Sequence, residues 1–208
     1  MHKIMALIFG ENYWLLHSFL IKVILLARGM RVGKNFRIHG TPYLKIRGKV
    51  SNIVIGNDVF IGGNIDIRNR ADGKIVIEDG VFIDDNCRFV AANNALLKIG
   101  KASGVGRDCI FNCGADVIIG EKCLLAGMVY INSSDHGIAK NADVIDQGYV
   151  HKPVIIEHGA FIGGLVMIKK GVTIKKGAVV GANSVVTEDL PEYSINVGVP
   201  ARTIKYRE

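Results

Sequence analysis

Residues 156–186 read IEHGAFIGGLVMIKKGVTIKKGAVVGANSVV. Every sixth residue of this stretch is Ile or Val, at Ile156, Ile162, Ile168, Ile174, Val180 and Val186. A period of six matches neither the 3.6 residues of a helical turn nor the irregular turn spacing of ordinary sheet proteins. Short strands that stack as equivalent rungs do produce it, because three such strands close one triangular coil. The stretch therefore predicts a solenoid of short strands.

The same spacing recurs earlier in the chain. The triplets are Val32, Ile38, Leu44; Ile55, Ile61, Ile67; Ile77, Ile83, Phe89; Ile99, Val105, Phe111; and Ile119, Leu125, Ile131. With the 156–186 stretch they predict an all-β solenoid, a parallel β-helix of about seven triangular coils. An N-terminal helix precedes it, and an extended loop is expected after the fourth regular triplet.

A second set of positions supports this fold. Residues two apart in a strand face the same side, so the position two before each aliphatic residue must also point inward. Small or medium uncharged residues fill these positions: Val59, Ile65, Val81, Cys87, Ser103, Cys109, Cys123, Val129, Ala160, Val166, Val172, Ala178 and Ser184. Glycine follows the aliphatic residue at Gly33, Gly56, Gly62, Gly100, Gly106, Gly120, Gly163 and Gly181. The chain turns a corner there, so we expect backbone angles that only glycine adopts freely.

A chain of 208 residues is expected to form one domain. We divide it into an apolar helical segment (residues 1–29), the β-helix (30–190) and a C-terminal tail (191–208). The six-residue phase is lost between Ile131 and Ile156, which predicts an excursion over residues 133–153. Loops of that length inside a compact fold are usually functional.

The N-terminal segment 4–27 reads IMALIFGENYWLLHSFLIKVILLA and lacks the six-residue phase. Glu11 and Lys22 interrupt it, so it contains no uncharged run long enough to span a bilayer. It has no small-residue cleavage site, so a signal peptide is not expected. The favoured interpretation is a helix that caps the open end of the solenoid. An interfacial membrane anchor stays open, and the two roles are compatible.

The net charge and the positions of the cysteines limit the expected partners and the cellular compartment. The net charge is +7, but the chain has no basic helix and no array of exposed aromatic residues, so nucleic acid is not an expected partner. Cys87, Cys109 and Cys123 fall on inward positions, and Cys113 follows a coil face. This arrangement predicts free thiols, a reducing compartment and a cytoplasmic protein. No paired cysteine spacing suggests zinc.

His136 is the best catalytic candidate from the residues alone. It lies in the segment INSSDHG, where the last regular coil passes into the excursion. A histidine at that place projects from a rigid scaffold into a region that loops can cover, and it can accept a proton near neutral pH. Cys113 as a covalent nucleophile is a weaker alternative, since no second base is evident to activate it.

The repeat, the histidine-bearing loop and the tail GANSVVTEDLPEYSINVGVPARTIK resemble the hexapeptide-repeat O-acetyltransferases over residues 30–208. That family includes enzymes that acetylate sugars of surface polysaccharides. The resemblance implies a left-handed parallel β-helix and acetyl-CoA as donor, with no metal required. It also implies a homotrimer with the active site between subunits.

The resemblance also implies roles for individual residues. His136 matches the catalytic base, and Asn112, Asp116 and Asp135 are the expected acceptor-binding residues, with Asp116 the weaker match. The expected coenzyme A contacts are Phe161, Gly163, Gly164, Ala182, Thr187, Arg202 and Lys205. Glu188 departs from the usual Lys of the family, which removes one cation from the phosphate-binding region.

The leading prediction is transfer of acetyl from acetyl-CoA to a sugar hydroxyl during synthesis of a bacterial surface polysaccharide such as lipopolysaccharide O-antigen, capsule or exopolysaccharide. Residues 4–27 could then contact the inner face of the inner membrane. Acetylation of a free small acceptor (an antibiotic, serine or a nucleotide amino sugar) stays open. So do a non-catalytic β-helix scaffold and a zinc-dependent carbonic anhydrase on the same fold, which would need three converging histidines.

Overall fold

The computed structural model describes residues 2–208. Helices α1 (His2–Phe9) and α2 (Glu11–Ala27) precede the strands. The first five coils are β1 (Arg31–Val32), β2 (Arg37–Ile38), β3 (Pro42–Ile46); β4 (Ile53–Ile55), β5 (Phe60–Ile61), β6 (Ile65–Asn69); β7 (Lys74–Ile77), β8 (Phe82–Ile83), β9 (Cys87–Ala91); β10 (Leu96–Ile99), β11 (Gly104–Val105), β12 (Ile110–Cys113); and β13 (Val117–Ile119), β14 (Leu124–Leu125), β15 (Tyr130–Asn132). A 3₁₀ turn, Val50–Asn52, precedes β4.

The excursion and the last coils follow. They comprise β16 (Ser134–His136), a 3₁₀ turn (Val144–Asp146), β17 (Tyr149–His151); β18 (Val154–Ile156), β19 (Phe161–Ile162), β20 (Met167–Ile168); β21 (Thr173–Ile174), β22 (Val179–Val180), β23 (Val185–Val186); and β24 (Ser194–Gly198), β25 (Ala201–Tyr206). Counted from β1, the excursion follows the fifth coil and not the fourth, because the coil that begins at Arg31 pairs as regularly as the others.

The strands form the three faces of a prism. Face A contains β1, β4, β7, β10, β13, β18 and β21; face B contains β2, β5, β8, β11, β14, β19, β22, β24 and β25; face C contains β3, β6, β9, β12, β15, β20 and β23. Each strand pairs in parallel with its equivalents in the neighbouring coils, except for the antiparallel pairs β16–β17 and β24–β25. This is the predicted parallel β-solenoid of about seven turns, consistent with a left-handed β-helix.

The prism interior holds the core that the two periodic positions predict. All six aliphatic residues of the 156–186 stretch are completely buried. The thirteen predicted inward positions, from Val59 to Ser184, are buried as well. Phe89 and Phe111 stack edge to face, with ring centroids 4.9 Å apart. The aliphatic residue that recurs every six positions therefore forms the centre of the prism core. The residue two positions before it fills the rest of the interior.

The corner glycines have a different cause from the predicted one. None of the eight adopts a left-handed φ, and left-handed angles at the corners fall on other residues, such as Asn35 at 52°. A Cβ on Gly33 would lie 2.4 Å from the carbonyl carbon of Gly56 in the next coil, and one on Gly100 would lie equally close to Gly120. At these corners glycine is needed because the stacked coils approach each other too closely for a side chain. Gly62 is an exception, since a Cβ there would lie 3.4 Å from Asp84 Oδ1.

The N-terminal segment forms two helices where one was expected, because Gly10 adopts a left-handed φ of 57° between them. Helix α2 packs against β1 and β2. Ser18 Oγ accepts a hydrogen bond from Ile38 N (2.9 Å) and donates one to Ile38 O (3.1 Å). Lys22 Nζ donates to Gly33 O at 2.6 Å. These side chains pair with the open edge of the first coil, which confirms the capping interpretation.

Within the described residues, no helix is both long enough and apolar enough to pass through a bilayer.

Candidate active site

The excursion closes into a hairpin that organises the region around His136. Strand β16 pairs antiparallel with β17, with Ser134 opposite His151 and His136 opposite Tyr149. Opposed residues of an antiparallel pair share a face, and so do alternate residues of one strand. These four side chains therefore form one face of the hairpin. It leaves the prism at the edge where face C passes into face A.

His136 is half-buried at the outer end of this face. Its ring lies 4.2 Å from the Tyr149 ring, centroid to centroid, and the Tyr149 ring stacks in turn on His151 at 6.0 Å. Its Nδ1 atom is buried and has no hydrogen-bond partner among the described residues. Packing against Tyr149 is thus the contact that positions the imidazole within one copy of the chain.

Asp135 lies on the opposite face of the hairpin, as alternation along a strand requires. Its Oδ2 atom accepts a charged hydrogen bond from Lys170 Nζ at 2.5 Å, and its Oδ1 atom accepts one from Asn132 Nδ2 at 3.4 Å. The carboxylate therefore ties the hairpin to the sixth coil and does not orient His136. Its acceptor-binding role stays a prediction.

A cavity of about 300 Å³ lies beside the hairpin. It is lined by Arg70, Ala71, Val90, Ala92, Asn93, Asn112, Cys113, Gly114, Ser134, Tyr149 and His151. The structure thus places Asn112 next to three members of the hairpin face. His136 is not among these lining residues and reaches the cavity wall only through its contact with Tyr149.

Asp116 lies further along the same edge. It lines an adjoining open cavity of about 570 Å³ that shares Asn93, Gly114 and His151 with the first. Its Oδ1 atom accepts a hydrogen bond from Leu96 N at 2.8 Å. Asp116 is therefore near the hairpin, but one of its oxygens is already engaged in holding a coil corner.

The cysteines are buried and free. Burial raises the pKa of the Cys113 thiol, because the low-dielectric interior disfavours the thiolate. A hydrogen bond with Cys109 and burial likewise raise the pKa of Cys87. Only the thiolate is an effective nucleophile, so the alternative of Cys113 as covalent nucleophile is disfavoured.

The residues expected to contact coenzyme A lie on other parts of the prism. Gly163 and Gly164 form the corner between faces B and C, and Ala182 forms the equivalent corner of the next coil. A Cβ on Gly163 would lie 2.6 Å from Ala182 N, so these corners stack directly. Phe161 is partly exposed on face B. This edge is separated from the His136 edge by the whole width of face C.

Thr187, Arg202 and Lys205 are exposed at the C-terminal end. Thr187 follows β23, whereas Arg202 and Lys205 lie on β25, the outermost strand of face B. Arg202 Nη1 lies 3.4 Å from the carboxylate of Glu188. Glu188, which stands where the family usually has Lys, therefore pairs with one of the expected coenzyme A contacts. One copy of the chain does not bring these residues to His136.

Several residues of the site were not expected from the sequence. Tyr149 and His151 lie within the hairpin, and Asn132 and Lys170 contact it through Asp135. None of the four lies on the six-residue ladder. The positions of Tyr149 and His151 depend on the register of β16 with β17. The alternation of polar and large residues in Ser134–His136 and Tyr149–His151 was the available signal for that hairpin.

In residues 2–208 the structure contains no group of three or more His, Cys, Asp or Glu side chains placed to hold a metal ion.

Comparisons with known proteins agree with the fold. Residues 153–188 match a family model described as a hexapeptide repeat of succinyl-transferase. A probable acetyltransferase of Mycobacterium tuberculosis is 33% identical over 200 residues, covering 95% of this chain and 57% of that protein. A putative lipopolysaccharide biosynthesis O-acetyl transferase, WbbJ of Escherichia coli, is 35% identical over 97 residues. This alignment covers 43% of this chain and 50% of WbbJ.

Among solved structures, the N-acyltransferase AntD from Bacillus cereus, in complex with dTDP and 3-hydroxybutyryl-CoA, aligns with a TM-score of 0.57. The two sequences are 22% identical, and the alignment covers 90% of this chain and 88% of the AntD chain. At that identity the likeness concerns the fold. The chain spans about half the length of the curated relatives described above. The predicted resemblance to the hexapeptide-repeat acetyltransferases is confirmed in both sequence and fold.

Proposed function

We propose that this chain is an acetyl-CoA-dependent O-acetyltransferase that acts on a sugar hydroxyl during synthesis of a bacterial surface polysaccharide. The observation that carries the proposal is the hairpin face on which His136, Tyr149 and His151 follow one another beside the cavity that Asn112 lines. The edge thus presents the His151 imidazole and the Asn112 amide to a concave surface, with His136 packed behind Tyr149. Such a combination suits recognition of a hydroxylated acceptor.

Acetyl transfer to a hydroxyl requires a general base and hydrogen-bond donors that stabilise the oxyanion. An alcohol attacks a thioester carbon only slowly unless its proton is removed as the new C–O bond forms. In the proposed step His136 takes that proton, and the tetrahedral intermediate expels the thiolate, to which the imidazolium returns the proton. A positioned histidine contributes about 10²–10⁴-fold in rate. Backbone N–H groups at coil corners could stabilise the oxyanion.

The separation of the two edges supports a homotrimer with the site between subunits. His136 leaves the edge between faces C and A, whereas Gly163, Gly164 and Ala182 lie at the edge between faces B and C. Packing of three prisms around a common axis could place one edge of each copy against the other edge of its neighbour. Coenzyme A would then lie in the groove between copies.

The acceptor class is supported by relatives and not by the pocket shape. WbbJ is described as a putative lipopolysaccharide O-acetyl transferase, which favours a saccharide hydroxyl. AntD is an N-acyltransferase whose structures contain coenzyme A or acyl-CoA together with dTDP or a dTDP-amino sugar. It supports a second candidate, acylation of a free nucleotide amino sugar. A cytoplasmic enzyme of either kind could meet lipid-linked sugars at the inner membrane face through residues 4–27.

The decisive experiment measures release of the free coenzyme A thiol from acetyl-CoA across a panel of saccharides and nucleotide amino sugars. We expect wild type to turn over at least one acceptor and His136→Ala to lose about 10²–10⁴-fold in kcat. His158→Ala, at an exposed corner between faces A and B, serves as the matched control and should retain activity.

Other outcomes contradict the assignment. Equal turnover by wild type and His136→Ala, with loss in His151→Ala, would transfer the role of base to His151. Absence of thiol release with every acceptor would favour the non-catalytic scaffold.

A further inference from the structure

Helix α2 exposes most of its apolar side chains, although Leu25 is buried and Ile21 packs against the core. Its polar residues Ser18 and Lys22 point to the edge of the first coil, where both hydrogen-bond to the backbone. Seven large apolar side chains are instead exposed: Leu15, Leu16, Phe19, Leu20, Val23, Ile24 and Leu26. A surface helix of a globular protein normally has an apolar stripe towards the core and a polar outer side, and the outer side of α2 is apolar instead.

Helix α1 enlarges this surface. Ile4, Met5, Leu7, Ile8 and Phe9 are exposed, and Leu7 retains 87% of its accessible surface. We call the twelve exposed residues of α1 and α2 the apolar cap surface. Isolated exposed hydrophobic residues are common, but a contiguous group of this size marks an interaction site.

Positive charge is concentrated at the same end of the molecule. Residues 1–50 contain nine Lys and Arg but a single acidic residue, Glu11, whereas the rest of the chain contains 17 basic and 18 acidic residues. Arg28, Arg31, Lys34 and Arg37 are exposed around the first coil. None of these four forms an ion pair with another described residue. We call these four residues the basic rim.

We propose that the apolar cap surface and the basic rim dock together on an anionic lipid surface. The apolar side chains would enter the boundary between headgroups and acyl chains, with the helices lying in the plane of the membrane. The basic rim would contact the headgroups, where each cation strengthens binding about fivefold. A second copy is the disfavoured occupant, because it would bring two strongly positive ends together.

The geometry also sets the orientation. Helix α2 covers the first coil, while the His136 hairpin leaves the fifth. A prism that stands on its capped end would hold the cavity above the bilayer, facing sideways. This inference extends the membrane contact proposed above. It does not depend on acyl transfer, so vesicle binding and thiol release can fail separately.

The test is flotation of the full chain with vesicles of phosphatidylcholine, with or without phosphatidylglycerol. We expect wild type to float with the anionic vesicles. The double variant Leu16→Ser, Phe19→Ser should lose at least about tenfold in partitioning, because two exposed apolar side chains no longer enter the lipid. The double variant Arg31→Gln, Lys34→Gln should lose about twenty-five-fold on anionic vesicles alone.

Matched controls separate local from general effects. Lys175→Gln, Lys176→Gln removes two exposed cations from the last coil, at the far end of the prism, and should leave flotation unchanged. Leu124→Ser removes an exposed apolar side chain from face B and should also have no effect. Circular dichroism of each variant should match wild type, since the substituted side chains are exposed.

Three outcomes would overturn the inference. The first is failure of wild type to float with anionic vesicles. The second is equal loss in the Lys175, Lys176 control, which would mean that net charge alone drives binding. The third is a smaller oligomer for Leu16→Ser, Phe19→Ser in sedimentation experiments without any change in flotation, which would assign the apolar cap surface to contacts between copies.

Discussion

The ion pair between Asp135 and Lys170 should stabilise the hairpin that carries His136. The two side chains approach to 2.5 Å and retain 30% and 21% of their accessible surface. At an effective dielectric constant of about 20, two charges at that distance attract by about 7 kcal/mol before desolvation. Partial removal of both ions from water costs several kcal/mol. We therefore expect a net coupling free energy of about 1–3 kcal/mol.

A double-mutant cycle measures this coupling. The free energy of unfolding in urea is determined for wild type, Asp135→Asn, Lys170→Met and the double variant, at one fixed protein concentration because an oligomer couples stability to concentration. Lys170→Met should also lower acyl transfer, since the hairpin would lose its tie to the sixth coil. The far-ultraviolet spectrum should not change, because the prism does not depend on this pair.

The pair Lys49–Asp72 is the matched control. Its charged atoms are 3.8 Å apart and its side chains are 74% and 70% exposed, so its coupling should be about 0–0.5 kcal/mol. If the Asp135–Lys170 cycle gave the same small value, the hairpin would not be held by this contact. Loss of activity without coupling would give Lys170 a direct role with substrate instead.

Further predictions concern the cap, the corners and the buried thiols. Ser18→Ala should destabilise the fold by about 2–4 kcal/mol in urea titration, because both backbone groups of Ile38 lose their partner in a buried site. Gly163→Ala should cost about 1–3 kcal/mol in the same assay, since its Cβ would overlap the backbone of the next coil, whereas Gly148→Ala, with nothing within 4 Å, should be neutral. Because burial raises the pKa of Cys113, the thiol keeps its proton in the folded state at pH values where the unfolded chain has lost it. The contribution of Cys113 to the free energy of unfolding is therefore complete below about pH 8.5, the pKa of an unperturbed thiol, and it falls by about 1.4 kcal/mol per pH unit above that. Cys113→Ala should reduce that slope between pH 9 and 10, and an unchanged slope would contradict the assignment.

The course of the solenoid could be predicted from the sequence because its determinants are local and repeated. Ile156 and its successors recur at a fixed spacing, and the inward positions two residues earlier need only be small and uncharged. Each rung meets the same steric requirement, so one short stretch predicts the others. The corner glycines were located correctly but explained wrongly, because the limiting contact lies between coils and not within one.

The site could be predicted only in part. His136 and Asn112 were placed near the excursion, but the partner of Asp135, the burial of Cys113 and the proximity of His151 to Asn112 were not expected. The first and the last involve residues of the non-repeating excursion, about 35–40 positions from their partners, where no spacing rule applies. Cys113 is buried because it lies two residues after Phe111 in β12 and faces the same side of the strand.

Periodicity along the chain thus dictates the prism, its core and the edge from which the His136 loop emerges. The hairpin register, the ion pair between Asp135 and Lys170 and the exposure of most apolar side chains of α2 exist only once the coils are stacked. The physical reason is that the alternation of side chains along a strand depends only on the residues of that strand. Whether one of its faces meets water, a neighbouring strand or another surface depends on the residues that pack against it.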